Sequence, residues 1–182
     1  MRNDHSQQTC KQALTDLYSS LEECKADMLG HFFAHAVASG IVTEEDSSNK
    51  EAKKEKLPPL VSAEELACIQ VTDFVSMFRS IRFGTSSAHA RGSLVQLNWL
   101  LKHGVAVPPA DPSAFGFTLC LDKFADAVTA LCNELLTIKI TGDRPRAERL
   151  LKEYGTDIPD CIKHHLDALK NLPIDLRVSF EV

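Results

Sequence analysis

The sequence predicts a mainly α fold, a multi-helix domain with one or two short strands. Long stretches carry apolar residues at three- and four-residue steps, the period of a helix with one buried side. Capping residues and glycines punctuate those stretches, while period-two alternation appears only in brief runs. At 182 residues, 44% of them hydrophobic and 25% charged, the chain is long and apolar enough to bury a core as a single domain over residues 1–182.

Residues 9–40 read as one helix. Leu14, Leu17, Leu21, Cys24, Met28, Phe32 and His35 make its apolar stripe, and Gly40 closes it. Residues 44–60 mix both charges and end in Pro58-Pro59, the composition of a surface loop. The helical remainder covers 62–172. Ser62 and Glu65 form a capping box for a helix to Arg82, with Phe74, Val75, Phe78 and Ile81 inward. Gly84 breaks it, and Thr85-Ser86-Ser87 caps a third helix through Leu94, Leu97 and Leu100 to Gly104. Residues 105–117 connect, and 117–121 suit a short strand. Asp122 is the expected cap of a fourth helix carrying Phe124, Val128, Leu131 and Leu135. Gly142-Asp143 ends that helix and starts a fifth, with Pro145 in its first turn and Gly155 past its end. A sixth covers about 160–171, and the alternation over 174–181 predicts a terminal edge strand.

A net charge of −5 without a basic stripe argues against nucleic acid as a partner; the Lys cluster near Lys50 is interleaved with Glu51 and Glu55. No apolar run reaches the roughly 18 residues of a membrane span. Met1-Arg2-Asn3-Asp4-His5 lacks the basic start and apolar stretch of a signal peptide. Six cysteines without a Cys-x-x-Cys pair suit reduced thiols, so the expected location is cytoplasmic.

Glu23, Asp27 and His31 stand at i, i+4 and i+8 and so share a helix face. That face is either solvated or suited to a hard or borderline divalent cation. His31 and His35 have the spacing of a zincin helix without its Glu, which leaves packing or a replacement metal site with Glu23 and Asp27. His164 and His165 point about 100° apart on a helix and read as surface residues. Arg79 and Arg82 flank an apolar helix end, where they bind a substrate carboxylate or form ion pairs. A Gly-rich phosphate loop, a Gly-x-Ser-x-Gly elbow and a Nudix-box glutamate pattern are all missing from the sequence.

The run Glu22-Glu23-Cys24-Lys25-Ala26-Asp27 resembles the second zinc motif of the dipeptidyl-peptidase III family. Further blocks resemble the plant and bacterial branch of that family, in which a Nudix domain can precede the peptidase-like region. They are Phe78-Arg79-Ser80-Ile81-Arg82-Phe83-Gly84, Ala88-His89-Ala90-Arg91-Gly92 with Gln96-Leu97-Asn98-Trp99-Leu100, Leu136-Thr137-Ile138 with Thr141-Gly142-Asp143, and Pro173-Ile174-Asp175-Leu176. The resemblance implies the carboxy-terminal part of a helical catalytic lobe in a zinc metallopeptidase that removes dipeptides from peptide amino termini. It carries a zinc ligand onto Glu23 and the carboxylates that hold ligand imidazoles onto Glu22 and Asp27. It carries onto His89 a histidine that faces the substrate carbonyl. The family's upstream His-Glu motif, which supplies two zinc ligands and the general base, does not occur in these 182 residues. The expectation is therefore a carboxy-terminal fragment with an incomplete zinc site, inactive alone, from a truncated gene or an incomplete gene model. Peptide would be its substrate once complemented, and self-association is expected from bared apolar surface. The alternative is a non-catalytic helical pseudoenzyme or protein-binding module.

Overall fold

A computed structural model of the chain describes residues 8–40, 42–43, 55–56 and 58–173. The described part is mainly helical. It comprises α1 (Cys10–Leu14), α2 (Tyr18–Ser39), α3 (Ala63–Ile81), α4 (Ala88–Lys102), α5 (Phe124–Thr141), α6 (Arg144–Tyr154) and α7 (Asp160–Leu169). Strands β1 (Val42–Thr43) and β2 (Glu55–Lys56) pair antiparallel, as do β3 (Ala106–Val107) and β4 (Thr118–Leu119). Among the described residues no helix is long and apolar enough to cross a membrane.

Helix α4 is the hub, packed against α2, α3, α5 and α6. Its sequence fits that place: Ala90, Gly92, Ser93, Leu94, Val95, Gln96, Leu97 and Leu100 are all buried, with apolar residues toward several neighbours and small ones where helices cross closely. Gly92 marks a close crossing. A Cβ there would lie 3.1 Å from the Cys24 backbone nitrogen and 3.4 Å from the Ser20 carbonyl, so hydrogen at that position lets α4 approach α2. Trp99 and Asn98 tie α4 to its other neighbours. The indole N–H donates to the Ala127 carbonyl at 2.9 Å, and the Asn98 amide donates to the Tyr154 and Asp157 carbonyls at 2.7 and 2.9 Å.

Local signals hold at several helix ends. Ser62 and Glu65 close the capping box of α3, and the Ser87 side chain accepts the Ala90 N–H. Gly142 takes the left-handed conformation after α5, and Asp143 caps α6 by accepting the Arg146 N–H at 3.0 Å.

Other expectations are corrected. The single helix over 9–40 is interrupted: a 3-10 turn, Thr15–Leu17, separates α1 from α2, and Thr15 has φ +48°. Arg144 of α6 explains where the ladder goes, because its guanidinium donates to the Leu14 carbonyl at 3.1 Å and to the Thr15 hydroxyl, and pairs with Asp16 at 3.0 Å. Asp122 does not cap α5. It lies in a 3-10 turn, Leu121–Lys123, that runs directly into the helix. His164 and His165 are partly buried rather than surface residues, within a ring cluster that includes Phe115 and Phe117. Of the expected loop 44–60, Glu55–Lys56 is a strand, while 44–54 and the terminal strand over 174–181 lie outside the described residues.

Candidate functional site

The i, i+4, i+8 spacing puts Glu23, Asp27 and His31 along one side of α2, where each meets a different residue of the facing helices. Glu23 Oε2 lies 3.2 Å from His89 Nδ1. Asp27 Oδ2 accepts from the Gln96 amide at 2.9 Å. His31 Nδ1 lies 3.1 Å from Asp73 Oδ2 on α3. Residues 89 and 96 are seven apart, two helical turns, so both α4 partners fall on one face. Gly92 sits between them, where α4 lies close against the α2 main chain.

Exposure separates these pairs. The His89 side chain is 73% exposed and Glu23 34%, so their contact lies open to solvent. His31 is buried, with its ring edge-on to Phe124 at 5.4 Å. Burial draws the His31 pKa below the ordinary value, against the opposing pull of Asp73 and Asp27. Cys24, between Glu23 and Asp27 but turned inward, is a fully buried thiol whose pKa is raised, first by burial. Gln96 also reaches that thiol, so one buried amide touches both Cys24 and Asp27.

Glu22 faces elsewhere. It is one residue from Glu23, hence about 100° around the helix. Its carboxylate pairs with Lys25 at 2.6 Å and with Lys139 of α5. The Lys139 ammonium sits 4.2 Å from the Tyr18 ring centroid, and burial lowers its pKa. Arg79 and Arg82 are also apart from Glu23 and His89. They line a groove between α3 and α7, and Arg82 donates to the main-chain carbonyls of Lys170, at 3.1 Å, and Leu172.

A catalytic zinc centre takes about three protein ligands with a fourth position for water. Among the described residues no three His, Cys, Asp or Glu side chains converge on one point. Asp27 is held by Gln96 and His31 is turned to Asp73, so the cation face suggested by the spacing does not close. His31 and His35 form no replacement site either. Both border an apolar cavity of about 260 Å3 beside Phe124, and His35 Nδ1 is buried without a hydrogen-bond partner. These side chains alone do not fit a zinc centre; they offer one open carboxylate, Glu23.

Sequence reasoning passed over Gln96, Asp73 and Lys139, the residues that hold Asp27, His31 and Glu22. Gln96 lies within a block singled out by resemblance, but only the packing of α4 on α2 gives it a partner. Asp73 precedes Phe74 on α3, and nothing local says that its side faces a histidine about forty residues away.

No family model matches the chain. A protein of Arabidopsis thaliana named Nudix hydrolase 3 is 30% identical over 174 residues, which is 94% of this chain and 20% of that protein. A solved structure of dipeptidyl-peptidase III from Caldithrix abyssi superposes with a TM-score of 0.76 and 30% identity, over 95% of this chain and 29% of that one. The dipeptidyl-peptidase III structure from Corallococcus sp. strain EGB gives 0.71 and 34%, over 93% of this chain and 28% of that one. The chain thus spans a fifth of the curated relative and under a third of either solved peptidase. Over nearly all its length it is a dipeptidyl-peptidase III-like helical region, matching both the fold and about a third of the residues of those structures.

Proposed function

We propose that the chain is the part of a zinc-dependent, dipeptide-releasing peptidase that contributes Glu23 to the metal and His89 to the substrate carbonyl. One observation carries this reading: the Glu23–His89 contact across α2 and α4, open to solvent, in a region similar to two dipeptidyl-peptidase III structures. Glu23 supplies one ligand, so two imidazoles and a general base must come from residues outside these 182. Alone, the chain is proposed to be inactive. Asp27, facing the same side as Glu23, is the better placed of the two flanking carboxylates to accept a ligand imidazole N–H; Glu22 is already paired with two lysines. Arg79 and Arg82, in a separate groove, would reach a peptide carboxylate only if the substrate extends there. A cytoplasmic location accords with six free thiols.

The test measures zinc content and dipeptide release from a chromogenic substrate. The chain would be assayed alone and co-produced with the part of the Corallococcus peptidase that it does not match. Alone it should hold no stoichiometric zinc and turn nothing over. Complemented, it should gain both, with Glu23→Gln losing zinc and His89→Ala losing turnover while keeping zinc. Turnover by the chain alone overturns the proposed inactivity. Neither zinc nor turnover after complementation overturns the peptidase reading. It would favour a non-catalytic helical module, for which the internal pairing of Glu22, Glu23, Asp27 and His31 already speaks.

A further inference from the structure

The groove of about 490 Å3 between α3 and α7 is bordered by neither Glu23 nor His89. Its walls are mainly apolar. Buried Phe74 and Phe78 pack with half-buried Phe117, their ring centroids 5.4, 5.5 and 5.6 Å apart. Exposed Val75, Phe83 and Phe115 form the rim. That volume lies within the roughly 300–1,000 Å3 of pockets that take small molecules.

The charge along this groove has one sign. Among the described residues that border it there is no Asp or Glu, and its two ionised side chains are Arg79 and Arg82. His165 also borders it but is neutral, since its Nε2 accepts the Gly116 N–H at 2.8 Å.

A second, independent feature is the Arg82 guanidinium itself. Its Nη2 donates to two uncharged acceptors, the Lys170 carbonyl at 3.1 Å and the Leu172 carbonyl. Its Nε is buried and has no hydrogen-bond partner among the described residues. A buried donor without an acceptor is uncommon, and costs more on a cation than on a neutral group. The groove thus combines an apolar body with a cation whose donors are not all used.

That combination selects its ligand at both ends. A guanidinium fork matches a carboxylate, while the aromatic walls favour an alkyl chain over a bare inorganic anion, which would leave them in water. We propose that this groove binds a straight-chain aliphatic carboxylate of the medium-chain fatty acid class, its carboxylate at Arg82 and its chain against Phe74, Phe78 and Phe117. The assignment stands whether or not the chain is part of a peptidase. Because Val75 and Phe83 rim the same groove, the bound carboxylate competes with any second copy of the chain there.

The experiment titrates the full isotope-labelled chain, dilute enough to stay monomeric, with octanoate at about pH 7.5 and follows backbone amide shifts. Saturable shifts are expected around Phe74, Phe78, Arg82 and Phe117, with a Kd of about a millimolar. Hexanoate, two methylenes shorter, should bind about tenfold more weakly. The neutral 1-octanol should also bind about tenfold more weakly, and octylamine more weakly still. Arg82→Gln should cost octanoate about tenfold. Should that variant loosen the end of α7, two other results decide. Octanoate against octylamine on the parent chain reads the charge. Phe115→Ser, at a side chain 62% exposed and outside the buried cluster, reads the place and should weaken binding about fivefold. No saturation, an equal response to 1-octanol or octylamine, shifts confined to other surfaces, or undiminished binding by Phe115→Ser or by a folded Arg82→Gln would each overturn the proposal.

Discussion

Gly92 and Gly30 both lie inside helices, where replacing glycine by alanine normally stabilises by about 0.5–1 kcal/mol through backbone entropy. Their surroundings set them apart. Nothing lies within 4 Å of a Cβ built at Gly30, so Gly30→Ala should deliver that gain. At Gly92 the added atom meets the main chain of Cys24 and Ser20, which cannot rotate away. Gly92→Ala should therefore cost about 1–3 kcal/mol, the usual range for overpacking. It should also loosen the Glu23–His89 and Asp27–Gln96 contacts on either side. Urea midpoints for the two variants, with unchanged slopes, check the opposite signs. His31 gives a residue-scale pH dependence. In the unfolded chain its ring takes a proton near the ordinary value of about 6.5, whereas in the folded chain burial holds that value lower. Between the two values the unfolded state binds more protons, so stability is full above pH 6.5 and falls as pH drops below it. The urea midpoint of the parent chain should decline over that window more steeply than that of His31→Gln.

At the scale of elements, the helix ends separate what is local from what is not. The α3 capping box, the left-handed Gly142 and the Asp143 cap with Pro145 behind it involve residues within three positions of one another, so the sequence states them directly. Asp143→Ala, which strips the cap from α6, should cost about 0.5–2 kcal/mol, and Asp143→Ser should recover most of it, as thermal melts would record. The break at Thr15 has no such local cause. Neither proline nor glycine stands near it, and its sponsor is Arg144, which approaches from α6 and takes the Leu14 carbonyl out of the helical ladder. The two histidines of α7 teach the same point. His165 Nδ1 contacts the Cys161 carbonyl at 2.6 Å, its Nε2 accepts the Gly116 N–H at 2.8 Å, and its ring packs on Phe117. That pattern requires a neutral ring and a partner loop about fifty residues away, neither of which a helix period reveals. The candidate site divides likewise. Spacing along α2 put Glu23 and Asp27 on one side, but their partners on α4 follow from a helix crossing set by Gly92.

For the whole molecule, the core is continuous. Leu14 of α1, Met28 of α2, Phe78 of α3, Leu97 of α4, Leu135 of α5, Leu151 of α6 and Ile162 of α7 belong to one buried cluster. Part of what the cluster leaves bare gathers in one place, although Leu60 and Ile140, which are exposed too, lie elsewhere. Val75, Phe83, Phe115 and Leu172 are each more than half exposed, and all border the α3–α7 groove of about 490 Å3. Scattered apolar side chains are ordinary on a surface, but a contiguous set of this kind is where soluble chains associate. Sedimentation velocity should therefore show self-association that grows with protein concentration. Because these side chains lie outside the buried cluster, Val75→Ser combined with Phe83→Ser should return the chain to a monomer with little change in melting temperature. A wild-type chain that stays monomeric across the accessible concentration range, or a double variant that associates as strongly, would show that this face is not what draws copies together.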